Sequence, residues 1–122
     1  MKIRATDFVL YHVSDFHAAV MFYRDVLGLP LALSSDEDQW AEFDCGNVTL
    51  ALKGGAEVAP GDHAPRIAFA VDDLKAAAVE LEARGVNIVS PPHDFGVCQS
   101  MGVLDPDGNV VLFHHRADGT AG

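Results

Sequence analysis

The sequence is poor in cysteine and contains no long apolar run. Its two cysteines, Cys45 and Cys98, are far apart and form no C-x-x-C pattern, which argues against a disulfide framework and against a zinc or redox motif. No apolar run approaches the roughly 20 residues that span a membrane. The start of the chain also lacks the apolar stretch and cleavage site of a signal peptide. We therefore expect a cytoplasmic protein.

Basic residues are scarce as well. Eight Lys and Arg stand against 18 Asp and Glu, which gives a formal net charge of −10. Such a surface repels phosphate backbones and anionic lipids, so we expect neither a nucleic-acid partner nor a membrane partner. A cationic small molecule would be attracted, and its association would weaken as salt is added.

What the sequence does contain is one pattern that occurs twice. In its first copy, residues 8–13 are mostly apolar and rich in strand-forming side chains, which indicates a buried strand. Ser14 or Asp15 can cap a following helix, and Gly28 suits a left-handed helix end. The apolar stripe of this predicted helix consists of Phe16, Ala19, Val20, Tyr23 and Leu27.

The second copy repeats these signals in the same order. Residues 66–71 indicate a strand, Asp72 or Asp73 can cap a helix, and Gly85 can end it. The apolar stripe here consists of Leu74, Ala77, Ala78 and Leu81. Later in each copy the letters Gly-Asn-Val, at 46–48 and at 108–110, predict a hairpin turn before an apolar strand.

Each copy is therefore predicted to be a strand, a helix and about three strands joined by hairpins. A unit of that size cannot close a core alone, so two of them must pair. Hydrophobic residues make up 49% of the chain, which suffices for such a core. We predict module one at about 5–53, a Gly-, Pro- and Ala-rich connector at 54–65, module two at about 66–116 and a tail at 117–122.

The repeat and its sequence motifs resemble those of the vicinal oxygen chelate superfamily, which includes glyoxalase I, extradiol dioxygenases, fosfomycin resistance enzymes and bleomycin resistance proteins. Three stretches carry the resemblance: "VSDFHAAVMFYRDVLGL", "FAVDDLKAAAVELEARGV" and "DPDGNVVLF". It implies an α+β fold of two tandem βαβββ modules, which form a cup-shaped mixed sheet with the helices outside. It also implies one glyoxalase/bleomycin-resistance-like domain over residues 1–122 and a homodimer.

The resemblance also indicates which positions of this sequence correspond to the metal ligands of catalytic members. Those members hold a divalent ion with His, Glu or Gln from the first and last strands of each module. The matching positions are Phe8, Arg66 and Leu112, with the fourth near Leu50 or Ala51. None of these side chains is a metal ligand, and a guanidinium repels a cation. The comparison predicts no metal cofactor and argues against glyoxalase or dioxygenase activity.

A displaced metal site is the alternative. Because side chains alternate along a strand, His12 shares a face with Phe8, and His114 shares a face with Leu112. Together with Glu42 they could form a two-His, one-carboxylate set for a metal-dependent lyase or dioxygenase of the same superfamily. For the adjacent pair His114 and His115, the simpler interpretation is a half-buried strand end with one ring hydrogen-bonded.

The remaining histidines look less informative. His17 falls on the polar face of the first predicted helix and His63 lies in the connector, so both are expected to be solvated. His93 lies in "SPPHDFG", which indicates a loop.

In the reactions that the superfamily catalyses, a metal ion acting as a Lewis acid provides the main stabilisation of the transition state, and a cup without a metal ion lacks it. A concave apolar site with a few polar groups remains, which describes a small-molecule site. The resemblance suggests drug sequestration in the cup or in a dimer groove, as in the bleomycin resistance proteins. We identify no catalytic residue, and a protein-interaction domain is a third hypothesis.

The candidate ligand-binding residues are His12, Trp40, Arg66 and His114. Trp40 either offers a stacking face or fills the core. Arg66 either meets an anionic ligand, which would favour a carboxylate-bearing compound, or pairs with an acidic residue across an interface.

Overall fold

The computed structural model describes residues 1–55, 57–61 and 63–121. The chain divides into two compact units, Met1–Val58 and Ala59–Gly122, and the division falls within the predicted connector. Each unit contains its own helix and its own four-stranded sheet. Within the described ranges, neither helix is long and apolar enough to cross a membrane.

The first unit is a βαβββ module. Its sheet has the order β1-β4-β3-β2, with β1 parallel to β4 and the other pairs antiparallel. The elements are β1 (Phe8–His12), α1 (Phe16–Met21), a π-helical turn (Phe22–Val26), β2 (Leu31–Ser35), β3 (Trp40–Asp44) and β4 (Thr49–Lys53).

The second unit repeats this plan. Its sheet has the order β5-β8-β7-β6, with β5 parallel to β8 and the hairpin pairs antiparallel. The elements are β5 (Ile67–Ala70), α2 (Leu74–Ala83), β6 (Ile88–Asp94), β7 (Cys98–Leu104) and β8 (Val110–Arg116). The predicted α+β class with two tandem βαβββ modules is confirmed, whereas the cup shape and the homodimer stay predictions.

Both helices begin at the second of the two candidate caps. The carboxylate of Asp15 accepts a hydrogen bond from the Ala18 backbone N–H at 3.1 Å, and that of Asp73 accepts one from Ala76 at 3.0 Å. A side-chain acceptor at this position satisfies an N–H that the helix itself cannot.

The first helix ends differently from the prediction. Regular α-helix stops at Met21, and a wider π-helical turn follows, closed by a bond from the Leu27 N–H to the Phe22 carbonyl at 2.9 Å. The wider turn allows the consecutive rings of Phe22 and Tyr23 both to be buried, with their centroids 5.2 Å apart. Apolar periodicity alone gives no sign of this change.

One face of each sheet is buried beneath its helix. In the first unit α1 packs on β4, and in the second α2 packs on β6, β7 and β8. The helix-facing residues of the first sheet that are fully buried are Tyr11, Ala41, Phe43, Leu50 and Leu52. Those of the second sheet that are buried include Ile67, Met101, Val103, Val111 and Phe113.

A buried polar turn closes the β7–β8 hairpin. The Asp105 carboxylate accepts hydrogen bonds from the backbone N–H groups of Asp107 at 3.0 Å and Asn109 at 2.8 Å, and from the Asn109 side-chain amide at 3.0 Å. Gly108 adopts a φ of 84°, in the left-handed region that glycine favours. The turn fixes where β8 begins, and so determines which residues of β8 face the helix.

Candidate functional site

The side of the first sheet that points away from α1 is called the first distal face. Strand pairing places Leu10 beside Ala51 and Ala51 beside Glu42. Because side chains alternate along each strand, this register defines the whole set. The first distal face comprises Phe8, Leu10, His12, Leu33, Ser35, Trp40, Glu42, Asp44, Thr49, Ala51 and Lys53.

Two aromatic rings and one carboxylate form a cluster on this face. The rings of Phe8 and Trp40 meet edge to face, with centroids 5.8 Å apart and planes at 89°. The indole Nε1–H of Trp40 donates to Oε2 of Glu42 at 2.9 Å. This bond fixes the orientation of the indole, because Trp has a single donor. Phe8 remains 45% exposed, so the cluster is accessible.

The basic residues of the first distal face lie in the same row as Trp40. His12 pairs with Lys53 across β1 and β4, and Lys53 pairs with Trp40 across β4 and β3. The Lys53 ammonium donates to the backbone carbonyl of Asp38 in the β2–β3 turn. Its charge is therefore directed toward that turn, while His12 is exposed.

The corresponding side of the second sheet is called the second distal face. His114 pairs with Ala70 on one side and with Ser100 on the other, and Ser100 pairs with His93. One row across four strands thus contains two histidines with a serine between them. The second distal face comprises Ala68, Ala70, Ser90, His93, Cys98, Ser100, Gly102, Leu104, Val110, Leu112, His114 and Arg116. Strand alternation places Arg66, just before β5, on this side as well.

The two adjacent histidines near the end of β8 point to opposite faces. His115 faces α2, and its Nδ1 lies 2.9 Å from the backbone carbonyl oxygen of Val71. His114 faces away from α2 and is half-buried. Only His114 is therefore positioned to meet a ligand on the distal face.

The prediction of a loop at His93 is wrong. His93 lies in β6, an edge strand whose pairing with β7 shifts register twice, between Ile88 and Ser90 and between Ser90 and His93. The two prolines between Ser90 and His93 explain why the sequence looks like a loop, since proline is confined to edge strands and bulges. His17 and His63 are exposed, as expected.

The residues at the superfamily's metal positions do not fit a metal ion. Phe8, Ala51 and Leu112 lie on the distal faces, and none offers an oxygen or nitrogen donor from its side chain. The register settles the open position in module one, because Ala51 shares a face with Phe8 whereas Leu50 is buried on the helix side. Arg66 supplies only donors, which a cation cannot use.

The displaced metal set also gains no support from the geometry. Among the described residues, no group of three or more His, Cys, Asp or Glu side chains is arranged to hold a metal ion. His12 and Glu42 do share the first distal face, but His114 belongs to the other unit. The carboxylate of Glu42 is already bonded to Trp40.

Neither cysteine resembles an activated nucleophile. Burial raises the pKa of the Cys45 thiol, a backbone hydrogen bond from Leu50 lowers it, and the negative charge of Asp44 raises it again. A raised pKa favours the neutral thiol, and only the thiolate attacks. Cys98 is half-buried on the second distal face.

Of the predicted ligand-binding residues, His12 and Trp40 lie on the first distal face and His114 lies on the second. Sequence reasoning missed the roles of Phe8 and Glu42 as neighbours of Trp40. The spacing of Trp40 and Glu42, two residues apart in a strand, was the available signal. It also missed the row formed by His93, Ser100 and His114, which no sequence spacing reveals.

Comparison with known proteins agrees with this architecture. The uncharacterized protein YraH of Bacillus subtilis (strain 168) is 30% identical over an alignment of 113 residues, and the match covers 81% of this chain and 88% of YraH. The metallothiol transferase FosB of Staphylococcus epidermidis is 28% identical over 93% of this chain and 83% of its own length. The crystal structure of a lactoylglutathione lyase from Agrobacterium tumefaciens superposes with a TM-score of 0.76 at 24% identity, covering 93% of this chain and 95% of that one.

A protein-family model assigns the chain to a family. The model described as Glyoxalase/Bleomycin resistance protein/Dioxygenase superfamily matches residues 6–113, which span both βαβββ modules. The chain belongs to the glyoxalase/bleomycin resistance protein/dioxygenase superfamily.

Proposed function

We propose that this protein binds a small organic molecule without a resident metal ion, and that it sequesters an antibiotic in this way. We propose further that it acts in the cytoplasm as a homodimer. One observation carries the proposal. The position that holds the first metal ligand in catalytic relatives is occupied by Phe8, whose ring forms an accessible cluster with Trp40 and Glu42. A position used for metal chemistry elsewhere is here part of an aromatic surface.

The composition of that cluster indicates what it would bind. Aromatic rings provide flat apolar contact area, and their faces attract cations. Glu42 adds a negative charge beside the indole, and the chain as a whole has a formal charge of −10. An aromatic or apolar molecule with a positive group therefore suits the first distal face.

The test uses the fact that Trp40 is the single tryptophan of the chain, so its fluorescence reports on the cluster alone. Protein purified without chelator would be analysed for metal content and titrated with a panel of cationic and neutral aromatic compounds, bleomycin among them. We expect sub-stoichiometric metal and a saturable change in Trp40 emission with at least one compound. Glu42→Gln should weaken binding of the cationic compounds, whereas Glu37→Gln, at an exposed turn position, should leave it unchanged.

The same experiment distinguishes the alternative. A metal-dependent lyase or dioxygenase with a displaced site would contain about one divalent ion per chain, and His12→Ala, Glu42→Ala or His114→Ala would release it. Stoichiometric metal lost from these variants would overturn the proposal. A panel that produces no emission change, with no metal present, would favour the protein-interaction hypothesis instead.

A further inference from the structure

The two distal faces differ in charge. The first carries the acidic Glu42 and Asp44 as well as His12 and Lys53. Among the described strand residues of the second distal face there is no Asp or Glu, although the chain has 18 acidic and only eight basic residues. The ionisable side chains with nitrogen donors on this face are His93, His114 and Arg116, with Arg66 just before β5.

The row that crosses β6, β7 and β8 presents donors at regular intervals. Neighbouring strands lie about 4.8 Å apart, so Ser100 stands roughly 5 Å from His93 on one side and from His114 on the other. Imidazoles and a hydroxyl at this spacing can all donate to one oxyanion group placed above the serine. The ring of His93 contacts the ring of Phe95, with centroids 4.4 Å apart and planes at 69°.

Small residues lie beside this row. Gly102 neighbours Ser100 along the same face, but a Cβ built at Gly102 would lie 3.3 Å from the Ser90 Cβ and 3.5 Å from Leu112 Cδ2, so these two side chains already fill the space above Gly102. Ala68 and Ala70 on β5 are small and exposed, and Ala70 pairs with His114. The face is therefore open on the β5 side of the row, beside His114.

Arg116 contributes less to this surface than its charge suggests. Its Nη1 donates to the hydroxyl of Thr120. The pKa of Asp118 is lowered mainly by hydrogen bonds from Thr120 and in part by the charge of Arg116. Because Arg116 interacts with the tail in this way, the histidine–serine row is the better-defined donor set.

We propose that the second distal face recognises an oxyanion group, a carboxylate or a phosphate, of a small molecule through His93, Ser100 and His114. The inference rests on the proposed function and extends it, because it adds a surface on the second unit that binds an acidic group. A nucleic acid is disfavoured as the source of the phosphate by the net charge of −10. A protonated imidazole donates from both ring nitrogens, so such a group is held by charge-assisted bonds.

The test uses inorganic phosphate and benzoate as separate probes, which distinguishes a free phosphate from an organic carboxylate. Histidine side-chain NMR signals of the full chain would be followed during titration at about pH 5.5, below the ordinary histidine pKa of about 6.5. We expect saturable shifts at His93 and His114 with at least one probe, and none at the exposed control residues His17 and His63.

Substitutions complete the test. His93→Gln and His114→Gln should each weaken binding of the responding probe about tenfold, as expected for loss of a charged hydrogen bond, and Ser100→Ala should weaken it less. His93 is exposed, so its variant should fold even if His114→Gln does not. Uniform small shifts at all histidines, or full affinity in His93→Gln, would overturn the inference. Neither result depends on the metal analysis or on Trp40, so the proposed function can stand if this inference fails.

Discussion

The buried turn at Asp105 provides the sharpest test of the structural reasoning, because it holds the strand that carries Leu112 and His114. Asp105 is 5% exposed and Asn109 is 4% exposed. Asp105→Ala removes the carboxylate that accepts hydrogen bonds from the Asp107 backbone N–H and from the backbone N–H and side-chain amide of Asn109. A hydrogen bond to a charged group contributes about 1.5–3 kcal/mol, and such contributions are not additive within one network.

We therefore expect Asp105→Ala to lower the free energy of unfolding by about 3–4 kcal/mol. For a chain of this length that corresponds to a fall in Tm of roughly 10–15 °C. Asp105→Asn keeps an oxygen acceptor for the backbone N–H groups but loses the bond from the Asn109 amide, so its Tm should lie between those of the alanine variant and the wild type. Calorimetry and urea denaturation would measure both quantities.

The matched control is Asp118→Ala. The Asp118 carboxylate also accepts two bonds within a turn, from the Thr120 N–H at 2.9 Å and the Thr120 hydroxyl at 2.7 Å, but this turn is exposed. Water can replace those bonds, so the Tm should change little. The reasoning fails if Asp105→Ala lowers the Tm no further than Asp118→Ala does.

Two further predictions concern other parts of the first unit. Gly54→Ala would place a Cβ 2.4 Å from Gln39 Oε1, at the end of a flexible side chain, and 3.1 Å from the Cβ atoms of Gln39 and Phe16. We expect the free energy of unfolding in urea to fall by about 1–3 kcal/mol. A Gln39→Ala background keeps both 3.1 Å contacts, so the loss should persist there, and no loss in either background would contradict the proposed crowding. Because burial raises the pKa of Cys45, its thiol stays protonated to higher pH than a free thiol. Alkylation followed by mass spectrometry should show that Cys45 reacts more slowly than a free cysteine up to about pH 9. Equal alkylation rates at about pH 8 would show that the thiol is not desolvated.

The fold was predictable because its signals are local and occur twice. Each module has a strand, an aspartate cap, an apolar stripe and a glycine helix end in the same order. Agreement among several weak local signals is what a sequence with one stable structure provides. The π-helical turn after Met21 was not predictable, because the burial of two consecutive aromatic rings depends on packing against the sheet and not on periodicity.

The site was predictable only in part. Strand alternation correctly separated His114 from His115, because that depends on parity alone. The register shifts in β6 could not be foreseen, since they add residues to one strand without a fixed sequence signal. His93 was therefore assigned to a loop, and its place beside Ser100 became apparent only from the strand pairing.

The strand pairing also shows where the two modules differ. When the first residues of α1 and α2 are aligned, Leu10 of β1 matches Ala68 of β5. Their partners on the neighbouring parallel strands, Ala51 and Leu112, then correspond to each other. Two residues further along those strands, Lys53 corresponds to His114. On the helix side the same alignment matches apolar residues with apolar residues: Val9, Tyr11, Leu50 and Leu52 with Ile67, Phe69, Val111 and Phe113.

The helix-facing positions are constrained by packing, which demands apolar volume in both modules. On the distal side the modules diverge at exposed positions: the aromatic Phe8 corresponds to the cation Arg66, and His12 corresponds to Ala70. Packing does not determine which side chain stands at an exposed position, so this divergence needs another cause, and ligand recognition supplies one. The positions that the resemblance assigns to metal ligands also lie on this side, so Phe8, Arg66 and Leu112 can stand there while the helix-side packing is kept.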